Sequence, residues 1–331
     1  MSEARLAPER NLALELVRTT EAAAMAGARL MGRGDKIAAD QAAVDAMRHV
    51  LDGVEMNGTV IIGEGEKDEA PMLYNGEIVG NGEPPHCDIA VDPVDGTTLT
   101  AEGRAGAIAV IAASEAGSMY NPGSAVYMEK LAVGPSGAGI VDIRLPVKRN
   151  IMALAKAKGV EVSDITAIVL DRPRHAELIA EIRAAGARIR MISDGDVAGA
   201  MACAMPNTGV DILFGIGGTP EGVITAAALK CMGGDLQGRL WARTEEEREL
   251  IISEGKDLDQ VLGLDDLIAT ENCFFAATGI TTGDLLRGVT YTSGGITTHS
   301  MVMRGRTGTV RMVEAHHQSA KLKKIAPIGY T

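Results

Sequence analysis

The chain has 331 residues, of which 46% are hydrophobic, 23% charged and 3% aromatic, with a formal net charge of -12. That balance fits a globular protein of one large or two ordinary domains, and it leaves no basic stripe with which to neutralise a nucleic-acid backbone. No run reaches the ~18 apolar residues of a membrane span, and residues 1–10 carry charges of both signs without an apolar leader stretch, so a soluble cytoplasmic protein that binds neither nucleic acid nor membrane is expected.

Residues 11–30 carry Leu12, Leu16, Val17, Ala23, Ala24 and Ala28 at helical spacing, and the helix is expected to end at Gly32 or Gly34. From Ala42 the apolar positions Val44, Met47, Val50 and Leu51 resume the period. Asp40 is therefore placed within or just before the first turn of a second helix, where the dipole favours a carboxylate. Residues 58–62 read as a β-branched strand, followed by Glu64 and Glu66 between glycines. Glu64, next to the strand, is the ligand candidate, whereas Glu66 joins Lys67, Asp68 and Glu69 in what reads as a solvated turn.

The chemistry centres on Asp88-Ile89-Ala90-Val91-Asp92-Pro93-Val94-Asp95-Gly96-Thr97-Thr98. Ile89 to Val91 read as a buried strand that Pro93 stops, leaving Asp92 and Asp95 around a tight turn. Such oxygens suit a hard cation like Mg²⁺, which is held by one or two carboxylates plus substrate phosphates. Gly96 and Thr97 then offer backbone N–H groups where a helix begins, a place that receives phosphate well. Asp-Pro and Asp-Gly are also ordinary turn signals, so the reading draws its weight from the rest of the chain.

Residues 107–113 and 127–133 read as strands. A change of texture near Pro146 divides the chain into an expected metal-binding lobe, residues 1–146, and a substrate-binding lobe, residues 147–331. Helices are expected over 151–158, 175–184, 197–205 and 221–231, and strands over 167–170, 188–192 and 210–214. That alternation implies a parallel or mixed sheet covered on both faces. Three loops after strands stand out. Arg172-Pro173-Arg174-His175 suits a second phosphate or a sugar oxygen, Asp194-Gly195-Asp196 suits sugar hydroxyls, and Gly215 to Glu221 resembles a phosphate-cradling loop that closes on Glu221 instead of a lysine. Residues 245–254 form a charged amphipathic helix, 255–266 a loop, and the strand-like stretches 274–278, 288–292, 297–303 and 309–313 an antiparallel set expected to cover the second lobe. Cys87, Cys203, Cys231 and Cys273 have no paired spacing and read as reduced core residues.

Taken in order, Gly32-Arg33-Gly34-Asp35-Lys36, Ile62-Gly63-Glu64-Gly65-Glu66, Asp92-Pro93-Val94-Asp95-Gly96-Thr97, Tyr127-Met128-Glu129-Lys130, Pro173-Arg174-His175, Asp194-Gly195-Asp196 and Gly217-Gly218-Thr219-Pro220-Glu221 form a set. It resembles the lithium-sensitive, metal-dependent phosphatase superfamily and, within it, the class II bacterial fructose-1,6-bisphosphatases. The likeness runs from about residue 11 to about residue 312. It implies a layered α-β-α-β-α fold of the α/β class, with two lobes around a cleft, and hydrolysis of fructose 1,6-bisphosphate to fructose 6-phosphate in gluconeogenesis. By this resemblance Asp40, Glu64, Asp92, Asp95 and Glu221 match the ligands of two or more Mg²⁺ or Mn²⁺ ions. Thr97 matches the catalytic threonine, with Asp40 and Glu64 beside it in catalysis. Lys36, Asp95, Gly96, Thr97, Tyr127, Arg172, Pro173, Arg174, Asp194, Gly195, Asp196, Gly218 and Glu221 match substrate contacts. A homodimer or homotetramer is implied as well. Residues 244–263 and the tail after Val313 match least. Sedoheptulose-1,7-bisphosphatase or inositol monophosphatase-like activity is the alternative within the enzyme class, and a catalytically silent sugar-phosphate sensor the alternative outside it.

Overall fold

The computed structural model describes residues 11–65 and 72–325. Residues 1–10 and the acidic turn of Glu66, Lys67, Asp68 and Glu69 lie outside them. The chain builds β1 (Asn57–Ile62), β2 (Ile78–Val79), β3 (His86–Asp95) and β4 (Ile108–Glu115) into one sheet. It then builds β5 (Tyr127–Val133), β6 (Thr166–Leu170), β7 (Arg188–Ile192), β8 (Ile212–Gly218) and β9 (Asp235–Trp241) into another. Finally β10 (Phe274–Gly279), β11 (Thr290–Tyr291), β12 (Ile296–Arg304) and β13 (Thr309–His317) return to the first sheet. The first sheet has the order β11-β12-β10-β4-β3-β1-β2, with β13 paired to β12, and the second the order β7-β6-β8-β5-β9. Both are mixed: β1 runs parallel to β3, and β6 parallel to β7 and β8, while β5 is antiparallel to its two neighbours.

Alternation along the strands sorts side chains onto two faces, and this sorting makes the layers. In the first sheet Ile89, Val91, Ala109, Ile111 and Ala276 share a core with α1 (Ala13–Ala28) and α2 (Lys36–Leu51). Their neighbours Ala90, Val110, Ala112 and Ala277 face the opposite way, into a core formed with α6 (Asp196–Ala202) and α7 (Thr219–Met232). Met128, Ala132, Ile168 and Leu213 of the second sheet enter that same core from the far side. The outer face of the second sheet, with Leu131, Val133, Ala167 and Val169, packs against Ile151 and Leu154 of α4 (Val147–Lys158) and Ile182 of α5 (Ala176–Ala185). The result is the expected α-β-α-β-α stack. α7 touches both sheets, which explains why Ala226, Ala227 and Ala228 are all fully buried: an interior helix has no polar face to show. The short α3 (Thr97–Glu102), α8 (Glu245–Ser253), α9 (Leu264–Leu267) and α10 (Ser319–Ile325) complete the described α-helices.

Three expectations are corrected. β3 does not stop at Pro93 but continues to Asp95, with one extra residue between Asp92, opposite Val110, and Asp95, opposite Ile108. This is a β-bulge, one of the few places inside a sheet that tolerates proline. The second helix begins at Lys36, capped by the Asp35 side chain, which accepts the Ala38 N–H at 2.9 Å; Asp40 therefore lies past its first turn. The C-terminal strands do not cover the second lobe: β10 pairs with β4 in the first sheet, so each sheet takes strands from both sides of residue 146. The cysteines are free and buried, and Cys231 and Cys273 come to 4.0 Å Sγ to Sγ.

Candidate active site

A pocket of about 510 Å³ opens where the ends of β3, β6 and β8 meet the starts of α3, α6 and α7. Its first wall grows out of the bulge in β3. There Asp92 accepts the Val94 N–H at 3.0 Å, and buried Asp95 accepts the Ala198 N–H at 3.3 Å. Gly96, at φ +96°, then turns the chain into α3 so that Thr97 opens the helix at the pocket. Only glycine adopts that left-handed backbone cheaply. Asp40 reaches the same space from α2, and Glu64 from the end of β1. Glu64 is held by its own N–H, which donates to Leu73 O at 2.8 Å, and a Cβ on Gly63 would lie 1.8 Å from that same oxygen.

The second wall is made by the loops after β6 and β7 and by the direct passage from β8 into α7, so Gly215 to Glu221 form a strand end and a helix start and not the loop expected from the sequence. Arg172 donates through Nη1 to Ser193 O at 2.6 Å, and Arg174 through Nη2 to Ile216 O at 2.7 Å. These bonds occupy part of each guanidinium and orient it, while other donors of the five remain. Tyr127 lies between cations, with Arg174 at 5.4 Å and Arg243 at 5.2 Å from its ring centre, and Trp241 edge-on at 6.1 Å. Asp194 accepts the Thr98 N–H at 3.2 Å, which joins this wall to α3. Glu221, in the first turn of α7, curls back so tightly that a Cβ on Gly218 would lie 1.7 Å from its Oε2.

The acidic residues sense one another. Burial, then Asp40 and Glu221, push Glu64 up to about 8. Asp92 is raised well above the carboxylate range by burial and then by Asp95, Glu221, Glu64 and Asp40. Asp95 is raised likewise by burial and Asp196, and Glu221 by burial and Asp196 with Lys130 opposing. Glu221 Oε2 is buried without a hydrogen-bond partner. Among the described residues, no three His, Cys, Asp or Glu side chains are gathered closely enough to grip an ion as they stand.

Of the residues singled out in the sequence, all but Lys36 and Pro173 line this pocket. Lys36 donates to the Thr98 hydroxyl at 2.9 Å, one residue beyond Thr97, and Pro173 opens the turn that carries Arg174. Two supporting residues escaped the sequence reading. His175 is buried and latches the arginine loop, its Nδ1 at 2.7 Å from Leu170 O and its Nε2 accepting the Ile216 N–H at 2.8 Å. Lys130 is buried in the middle of β5 and bonds Asp196 at 2.8 Å. Both stand inside motifs quoted above, and what signalled Lys130 was a lysine on the inward face of a strand between Met128 and Ala132.

A two-sheet layered α/β fold with a carboxylate-walled pocket facing arginines defines a phosphatase of the sugar-phosphate kind. The chain matches, over residues 10–317, the family described as bacterial fructose-1,6-bisphosphatase, glpX-encoded, and it belongs to that family of metal-dependent phosphatases. It is 45% identical to the class 2 fructose-1,6-bisphosphatase of Haemophilus influenzae, over 96% of this chain and 99% of the relative. It is 46% identical to fructose-1,6-bisphosphatase 1 class 2 of Escherichia coli K12, over 93% of this chain and 95% of the relative. Among the described residues no helix is long and apolar enough to cross a membrane.

Proposed function

We propose that this protein hydrolyses the 1-phosphate of fructose 1,6-bisphosphate to give fructose 6-phosphate and inorganic phosphate, in the pocket between the two sheets. The observation that carries the reading is the meeting of opposite charges on one space: Asp40, Glu64, Asp92 and Asp95 from the first wall, Glu221, Arg172 and Arg174 from the second. Carboxylates alone would repel a phosphate ester. The residues present fit divalent cations, because a buried carboxylate oxygen on Glu221 stands without a partner and the set raises its own proton affinity. Asp40, Glu64, Asp92, Asp95 and Glu221 would hold two or more Mg²⁺ or Mn²⁺ ions. Such ions supply charge neutralisation and a nucleophile at neutral pH when bound.

The protein's own groups do the rest. Gly96 and Thr97 at the start of α3 receive the reacting phosphate through their N–H groups. The Thr97 hydroxyl, beside Asp40, orients the attacking water in line with the departing ester oxygen, so that no covalent phosphoenzyme forms. Arg172 and Arg174 hold the distal phosphate, which favours a bisphosphate through binding and positioning. Asp194 and Asp196 accept from the sugar hydroxyls, and Tyr127, Gly195 and Gly218 shape the cavity around the sugar. Lys36 and Pro173 act from just outside it, on α3 and on the arginine loop. The same reading carries a cytoplasmic location and assembly as a homodimer or homotetramer.

The test is phosphate release from fructose 1,6-bisphosphate, sedoheptulose 1,7-bisphosphate, fructose 6-phosphate and inositol monophosphate, with Mg²⁺ or Mn²⁺ and with EDTA. The reading expects fructose 1,6-bisphosphate to be turned over best and EDTA to stop release. Release that survives EDTA, or binding of the sugar phosphate with no release under either metal, defeats it.

A further inference from the structure

Resting on the reading of this pocket as the metal-dependent site, we propose that Lys130 is a positioning residue for the cation cluster: its buried ammonium fixes the Asp196 carboxylate and supplies the internal positive charge against which Glu221 is set. A lysine is almost never fully buried unless it is paired. Lys130 has its side chain only 2% exposed and donates to Asp196 Oδ2 at 2.8 Å, and the Asp196 side chain is itself 8% exposed.

The surrounding backbone is cut to admit this pair. Lys130 stands opposite Gly215 on one neighbouring strand and Gly238 on the other. A Cβ at Gly217 would lie 1.9 Å from Asp196 Oδ2 and 3.1 Å from Lys130 Nζ, and one at Gly222 would lie 3.4 Å from Lys130 Cε. Gly222 follows Glu221, so the lysine stem passes beside the first turn of α7. Gly217 and Gly218 are consecutive, one cut away for Asp196 Oδ2 and the other for Glu221 Oε2, where a Cβ would lie 1.7 Å away, and Gly195, next to Asp196, would bring a Cβ to 3.5 Å from Asp95 Oδ2. One ion pair thus sits behind two candidate metal ligands.

The test is a double-mutant cycle on the full-length protein, read by calorimetric titration with Mn²⁺ alone and then by turnover. Lys130→Met removes the internal cation, so Mn²⁺ should bind about tenfold more tightly to the more negative site. Turnover should nevertheless fall by roughly 100-fold, because Asp196 loses its anchor and the site its geometry. Asp196→Asn strands the ammonium beside Glu221 and should weaken Mn²⁺ binding. Adding Lys130→Met to Asp196→Asn should restore it, with strong non-additivity between the two changes. Lys130→Arg keeps the charge but not the shape; it should hold Mn²⁺ affinity near the parent's while turnover stays low, since the larger head does not fit between Gly217 and Gly222.

If Lys130→Met loses turnover while Mn²⁺ affinity is unchanged or weaker, the pair is structural only and the proposal is overturned. Parent-like turnover overturns it as well. Should Lys130→Met fail to fold, the comparison of Asp196→Asn with the double variant, in which no buried charge is left alone, decides, and Mn²⁺ affinities additive to within about twofold sink the proposal. The Mn²⁺ titrations contain no sugar phosphate, so an error in the substrate assignment would leave them untouched.

Discussion

The two sheets meet at one pocket but equip it differently. The first sheet contributes carboxylates whose neighbours are mostly other carboxylates: Asp92 and Asp95 sit on a bulge of β3, and Glu64 follows β1. The second sheet contributes groups that are already engaged, with Arg172 and Arg174 on backbone carbonyls and Asp196 on Lys130. The first wall, on the proposed reading, is completed only by cations, whereas the second, apart from the unpartnered Glu221 Oε2, is already tied down by hydrogen bonds and an ion pair. Catalysis should therefore fail completely when the first wall is altered and in graded fashion when the second is.

The largest effect should come from Asp92→Asn, which keeps the size of the side chain and an oxygen for the Val94 N–H but removes a charge facing Asp95 and Glu221. Turnover should fall at least ~1000-fold, about 4 kcal/mol in the barrier, while the metal-free protein melts no lower than the parent. Recovery of substantial turnover at saturating Mn²⁺ would remove Asp92 from the ligand set. Thr97→Ala comes next. If the hydroxyl acts mainly in the transition state, kcat should drop by roughly 100-fold with KM within a few-fold of the parent. A rise in KM at constant kcat would make Thr97 a ground-state contact instead.

Much of this contrast was legible in the sequence, and its gaps have physical causes. The acidic wall is written in short local motifs, Asp92 to Thr97 above all, because a strand end and a helix start bring adjacent residues to one pocket. The strand of residues 127–133 is observed with those bounds, and the helix expected over 151–158 ends at Lys158 but begins four residues earlier, at Val147. Pro93 misled because a lost ladder bond normally ends a strand, and the bulge that absorbs it depends on register with β4. The return of β10–β13 to the first sheet could not be read, since antiparallel edges pair by tertiary choice and not by local pattern. Lys130 was marked only by its inward position between Met128 and Ala132, and its role becomes intelligible once Asp196, 66 residues away, is seen beside it.

The second wall offers the graded effect. Arg174→Ala removes a guanidinium that spans Ile216 O and the Tyr127 ring. If it also holds the distal phosphate, KM for fructose 1,6-bisphosphate should rise about tenfold or more, as for loss of a charged hydrogen bond, with turnover of a monophosphate little changed. Equal losses on both substrates would mean that the residue only braces the loop.

The smallest effect separates the unfinished wall from a buried carboxyl elsewhere. Glu21 of α1 is buried against β12, accepts from the Thr298 hydroxyl at 3.3 Å, and is raised by burial to about 7 from an ordinary 4.5. Glu64 is raised to about 8 from the same starting value. For a carboxyl raised in the folded state, the folded protein holds its proton more firmly than the unfolded chain. The associated stability is full below about 4.5 and is lost as pH climbs through 7 for Glu21 and 8 for Glu64. The metal-free protein should therefore melt lower at pH 8 than at pH 5. Mn²⁺ should restore the part owed to the pocket and leave the part owed to Glu21. Glu21→Gln, which can still accept from Thr298 but cannot ionise, should raise the metal-free melting temperature at pH 8 by about 2 °C, with no gain at pH 5 and turnover unchanged. A stabilisation of equal size at both pH values would trace the gain to packing, and the buried charge on Glu21 would no longer account for it.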